Sequence, residues 1–111
     1  MDSRRKLIAR FDFFRMDSEG KMFPAYAGVC APVPEEGLWR CDVVCDFSGS
    51  ESVREVRGND SLQALGFALS ALRKEFLSAL DRHASFFYEE DDVDPLTKES
   101  LSHLFPLPDP E

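Results

Sequence analysis

The stretch from Gly58 to Leu80, GNDSLQALGFALSALRKEFLSAL, decides how the rest of the chain is read. Asp60 stands where a helix N-cap belongs, because its carboxylate can accept from the free amides of the first turn. Gln63, three residues on, completes a capping-box pattern. At about 100° per residue, Leu62, Leu65, Leu69, Leu72, Phe76 and Leu80 fall on one narrow stripe. The spacing predicts one long amphipathic helix whose stripe closes over a sheet. Gly66 lies at the edge of the stripe, where a mid-helix glycine costs about 1 kcal/mol relative to alanine, so a close approach to the sheet is expected there. Phe67 breaks the pattern: it lies nearly opposite the stripe, beside Lys74 and Ser78 and flanked by Ala64 and Ala71.

Upstream the period changes to two. Leu7, Ala9, Phe11 and Phe13 alternate with Arg10 and Asp12, as in a half-buried strand, with Ile8 and Phe14 on the other face. Asp17-Ser18-Glu19-Gly20 is turn chemistry. A weaker extended segment runs from Phe23 to Val33, and its prolines, Pro24, Pro32 and Pro34, predict an edge strand or a partly irregular one. After the turn Pro34-Glu35-Glu36-Gly37 comes the clearest strand, with Trp39, Cys41, Val43, Cys45 and Phe47 on one face and Arg40, Asp42 and Asp46 on the other. Ser48-Gly49-Ser50 predicts a tight hairpin into a short strand over residues 52–57. Val53 and Val56 are out of phase, which predicts a bulge between them.

Downstream, Phe86-Phe87-Tyr88 is an apolar knot before the acidic run Glu89-Glu90-Asp91-Asp92. Asp94-Pro95 predicts the opening of a short second helix with Leu101, Leu104 and Phe105 on one face, closed by Pro106. Residues 106–111 read as a tail. The expected architecture is a single α+β domain over residues 1–111: a four-stranded antiparallel meander packed by one long helix, plus a short C-terminal helix, with Trp39 and Phe76 sealed between the layers.

A chain of 111 residues that is 43% hydrophobic supports a real core. Its 13 Lys and Arg against 21 Asp and Glu leave a net charge of −8. Such a field repels phosphate backbones and anionic lipid and attracts basic surfaces, so neither nucleic acid nor membrane is an expected partner. Three cysteines are an odd count, unlike a secreted disulfide framework. Arg10 and Asp12 interrupt any apolar leader, and no apolar run reaches the length of a membrane span. The expectation is a reduced, cytoplasmic protein.

No catalytic or ligand motif emerges. Cys41 and Cys45, four residues apart on one strand, have Cα atoms about 13 Å apart, too far for a disulfide or a shared metal. Cys30 could meet one of them across the sheet. All three read best as small buried hydrophobes, with no basic neighbour to make a thiolate. His83, near the end of the long helix, suits its dipole, and His103 falls in the second helix; neither has metal-ligand spacing. The run from Glu89 to Asp92 lacks the spacing of a calcium loop and reads as a solvated loop, or as a docking patch for a basic partner. No cofactor, metal or catalytic residue is assigned. The candidate interaction surface is Phe67, Ala71 and Lys74 with Glu89, Glu90, Asp91 and Asp92. For Phe67 two readings stand: cover by the second helix, or contact with a partner protein or a second copy.

Trp39-Arg40-Cys41 on a strand, followed by Gly58-Asn59-Asp60-Ser61-Leu62-Gln63-Ala64-Leu65, resembles a family of small bacterial proteins with a Trp-x-Cys strand and a Gly-x-Asp-Ser-x-Gln-Ala-Leu helix start. That family is known only as a domain of unknown function. The resemblance implies a small α+β domain, of which some members accompany toxin loci as immunity proteins, and it implies no catalytic residue. The function expected is therefore a non-enzymatic protein-interaction domain, with immunity as its specific form. Its partner would be another protein with a basic surface, or a second copy. The alternatives are an acidic secretion-type chaperone, which would usually open with a helix, and a small enzyme or metal-binding fold.

Overall fold

The computed structural model describes residues 6–47, 49–82 and 84–104. In chain order the elements are β1 (Leu7–Met16), β2 (Met22–Cys30), β3 (Val33–Glu35), β4 (Leu38–Asp46), β5 (Ser52–Gly58), α1 (Ser61–Asp81), β6 (Phe86–Phe87) and α2 (Lys98–Leu104). The long strands form the predicted antiparallel meander, ordered β5, β4, β2, β1. Among the described residues the sheet nevertheless has six strands rather than four. Glu36 and Gly37, with φ of 51° and 85°, make a two-residue turn that folds β3 onto the start of β4. Phe86-Phe87 adds β6 outside β1. Both extra strands are too short to carry a period.

Of the two readings of the prolines at residues 23–33, the edge strand is excluded, because β2 is interior, between β1 and β4, and the partly irregular one fits. β4 pairs with β2 only over Tyr26–Val29, so Pro24 lies where β1 is its one strand neighbour and its missing N–H breaks no ladder on the other side. Against β4, the register slips by one residue between Val29↔Val43 and Val33↔Arg40, and Pro32 sits in that slip. Pro34 falls in short β3.

The bulge expected between Val53 and Val56 is absent: β4 and β5 pair without a shift from Trp39↔Gly58 to Cys45↔Ser52. The irregularity is in β1, between Leu7 and Ala9. It turns Leu7 away from the face of Ala9 and lays it over Gly28. A Cβ at Gly28 would run into the Ala9 carbonyl oxygen.

α1 begins as predicted. Asp60 accepts from the Gln63 amide at 2.7 Å, and the Gln63 side chain reaches back to the Asn59 amide at 2.7 Å. Its buried face is rotated from the leucine stripe towards Ala64, Ala68, Leu72, Phe76 and Ala79, leaving Leu62 77% exposed. Small side chains let the helix backbone approach the sheet. The glycine that permits this is Gly58, where a Cβ would lie 2.6 Å from the Ala64 nitrogen. Gly66, expected at that contact, faces open space.

Phe76 is fully buried, and the rings of Phe11, Phe13, Phe47 and Phe86 surround it with centroids 4.8–6.0 Å away. Trp39 flanks this core half-buried rather than sealed. α2 starts at Lys98, later than Asp94-Pro95 predicted. Thr97 and Ser100 cap it by exchanging side-chain and amide hydrogen bonds at 3.0 and 3.2 Å, so the hydroxyl at residue 97 replaces the carboxylate at 94. Leu101 enters the core, and Lys98 pairs with Asp81 at the end of α1. His83, Phe105, Pro106 and the expected tail lie outside the described residues.

Candidate interaction surface

Strand alternation sends every second side chain away from α1, onto a face that no described helix covers. At one end of this outer face, Arg40 donates to Glu35 at 2.7 Å and forms an ion pair with Asp42 at 3.0 Å. Arg57 bonds the same Glu35 at 2.8 Å and Glu55 at 2.9 Å. Five charges from β3, β4 and β5 thus form one connected ladder. Arg57 first, and Arg40 after it, hold the Glu35 carboxyl below the usual glutamate range. Where β2 gives way to β3, a cavity of about 310 Å³ opens between Lys6, Cys30, Val33, Arg40 and Asp42.

At the other end, the Arg10 guanidinium stacks 4.3 Å from the Tyr26 ring centroid and bonds Asp12 at 2.9 Å. The Tyr26 hydroxyl donates to the Glu51 carboxylate, which with partial burial pushes the phenol up to about 12. Between the two ends Val44 is buried, paired with Gly28 on one side and Val53 on the other. Phe14 and Phe87 pair beside β1, Phe87 buried. Rings, aliphatic carbons and guanidinium groups interleaved on a flat face can bind a polypeptide by stacking and by exchange of ion-pair partners.

The buried thiols offer little chemistry. Burial pushes Cys41 up, with Cys30 and Asp42 adding to the shift, and pushes Cys45 up to about 12. The Cys41 thiol donates to the Cys30 carbonyl oxygen at 3.2 Å, so the cross-sheet meeting of these cysteines is a thiol-to-carbonyl contact. No disulfide forms among them, and no group of three or more metal-ligating side chains occurs among the described residues. His103 is exposed on α2.

Residues 13–93 match a family described as a domain of unknown function, DUF6968. The chain belongs to that family. No curated protein and no solved structure matches it. The DUF6968 span runs from the second half of β1 through β6 and includes the residue 39–41 strand and the residue 58–65 helix start. The start of β1 and all of α2 fall outside it.

The candidate surface expected from sequence lies within the DUF6968 span but on separate elements. Phe67 stays 49% exposed, because Leu101 and Leu104 turn to the core and to the β1 side of α1 instead of covering it. Lys74 is exposed, while Ala71 packs partly against the core. Glu89, Glu90 and Asp91 are exposed, and Asp92 closes their turn by accepting from the Glu89 amide at 3.0 Å. The ladder through Glu35 and Arg57 was missed. Arg40, Asp42 and Asp46 were legible as outward-facing charges, but their partners sit on other strands, where register decides who meets whom.

Proposed function

We propose that the protein is a non-enzymatic interaction domain of the bacterial cytoplasm that docks another protein across the outer face of its sheet. The observation that carries this reading is the contrast between the covered inner face and an outer face that keeps half-buried Tyr26 and Phe14, exposed Val53 and a paired-charge ladder without a covering layer. Large apolar groups set among charges on an open sheet mark a contact surface more often than a catalytic one. The net charge of −8 and the acidic turn from Glu89 to Asp92 favour a partner with a basic surface. Binding a toxin as an immunity factor is the specific form suggested by the family resemblance. No described helix is long and apolar enough to cross a membrane.

The test is affinity capture with immobilised wild type, Arg10→Glu/Tyr26→Ala and Phe67→Ser proteins, each checked for native circular dichroism. One stoichiometric protein should be retained, weakened by salt, lost with the double variant and kept by Phe67→Ser. Retention indifferent to the double variant, or no stoichiometric partner, would overturn the reading.

A further inference from the structure

We infer that the protein forms a symmetric dimer in which β5 pairs antiparallel with β5 of a second copy, with Val56 opposite Val56. This contact uses the sheet edge, one flank of α1 and the Glu55–Arg57 end of the outer face, whereas the partner is tested at Arg10 and Tyr26 at the other end, so the two can fail separately.

Among the described residues β5 pairs only with β4, and its seven residues run without proline or register shift. Its other edge therefore presents a regular row of backbone donors and acceptors, the usual template for strand addition. Charged side chains normally discourage such pairing, but here they are self-complementary. A twofold axis through a continuous sheet keeps each residue on its own face, so only one residue type can sit at the centre against its copy. Centring on Arg54, Glu55 or Arg57 opposes like charges. Centring on Val53 sets Glu51 against Glu55. Centring on Val56 sets Glu55 opposite Arg57 of the copy, and Arg57 opposite Glu55, on the outer face. Opposite charges directly across a strand pair stabilise it, and like charges destabilise it. Glu55 and Arg57 already bond each other within the strand at 2.9 Å, and Arg57 also bonds Glu35 at 2.8 Å, so the dimer exchanges ion-pair partners within an existing network.

α1 supplies the second half of the contact. It lies over β5, fixed by Gly58 under Ala64 and by the Arg54–Glu75 pair at 2.7 Å. Leu69 and Leu72 face the β1 side of the sheet. Helical spacing then turns Ala71, and beyond it Phe67, towards the β5 edge. The twofold axis brings the second α1 alongside, antiparallel. Small Ala71 permits the 8–10 Å approach of packed helices, and the half-exposed Phe67 ring gains apolar cover.

The full chain should sediment at twice its 12.6 kDa as concentration rises. E55R and R57E should each raise the dimer dissociation constant roughly tenfold or more, because each sets like charges at both cross-strand pairs. Mixing the two variants should restore dimers, since every such pair then opposes an arginine to a glutamate. Phe67→Ser should weaken the dimer with unchanged circular dichroism, and it serves as the readout should a charge variant fail to fold. A wild type that stays monomeric at every concentration reached, or a dimer indifferent to E55R and Phe67→Ser, would overturn the inference.

Discussion

On the inner side of β4, Cys41, Val43 and Cys45 are buried beneath α1. On its outer side Asp42, 6% exposed, is about as deep, yet what it touches is Arg40. Along β4 the two faces therefore differ less in depth than in what holds them. Inside, apolar area is removed from water at roughly 25 cal/mol per Å². Outside, charges are paired with partners that must first be partly desolvated, so their net contribution is small and salt-sensitive. One face fixes the fold, and the other keeps its interactions available for exchange.

The sharpest way to break this contrast is Phe76→Ala. Phe76 is fully buried at the centre of the ring cluster, and its truncation should cost about 3–5 kcal/mol, a large part of a domain's stability. Urea unfolding should show this loss far exceeding that of Arg40→Ala on the outer face. Equal losses would mean that the ladder, not the core, holds the sheet. Gly58→Ala comes next. The added methyl must displace the Ala64 backbone, and the overpacking should cost roughly 1–3 kcal/mol in the same assay.

These two positions also show what sequence can and cannot convey. The β4 alternation and the Asp60 cap were legible because a half-buried strand and a helix start each impose a local pattern on residue type. The rotation of α1 was not. Hydrophobicity ranks Leu62 above Ala64, whereas close packing on a sheet favours the smaller side chain, and that preference depends on a partner surface the sequence does not display. β3 and β6 carry too few residues to show a period. On the candidate surface, the place of Phe67 off the apolar stripe was legible from helical spacing, but whether α2 covers it was not, because that depends on where α2 packs. The ladder of Glu35, Arg40, Asp42, Glu55 and Arg57 depends on register between strands, as does the meeting of Tyr26 with Glu51.

Gly66 sharpens the same lesson with the opposite sign. A methyl group there meets nothing, so Gly66→Ala should raise stability by about 1 kcal/mol through helix propensity alone. Its thermal midpoint should rise while that of Gly58→Ala falls. A destabilised Gly66→Ala would place the sheet, or another surface, against that side of α1.

The smallest expected effect tests whether the outer face is as ordered as the inner one. With its hydroxyl given to Glu51, Tyr26 should ionise near pH 12 in the folded protein, against about 10 for an ordinary tyrosine. A raised folded value means that the bond's contribution to stability is fully present below pH about 10 and is lost as pH rises through 12. Glu51→Gln removes the charge that opposes phenolate formation, so the phenol should fall back towards its ordinary value. The stability gap between wild type and variant should close over the same alkaline window. Phenolate absorbance reads the first effect, and urea midpoints taken across that window read the second. Superimposable titrations of the two proteins would mean that Glu51 does not hold the Tyr26 hydroxyl in solution. The ring would then be held by its Arg10 stack alone, and the outer face would be looser than its geometry implies.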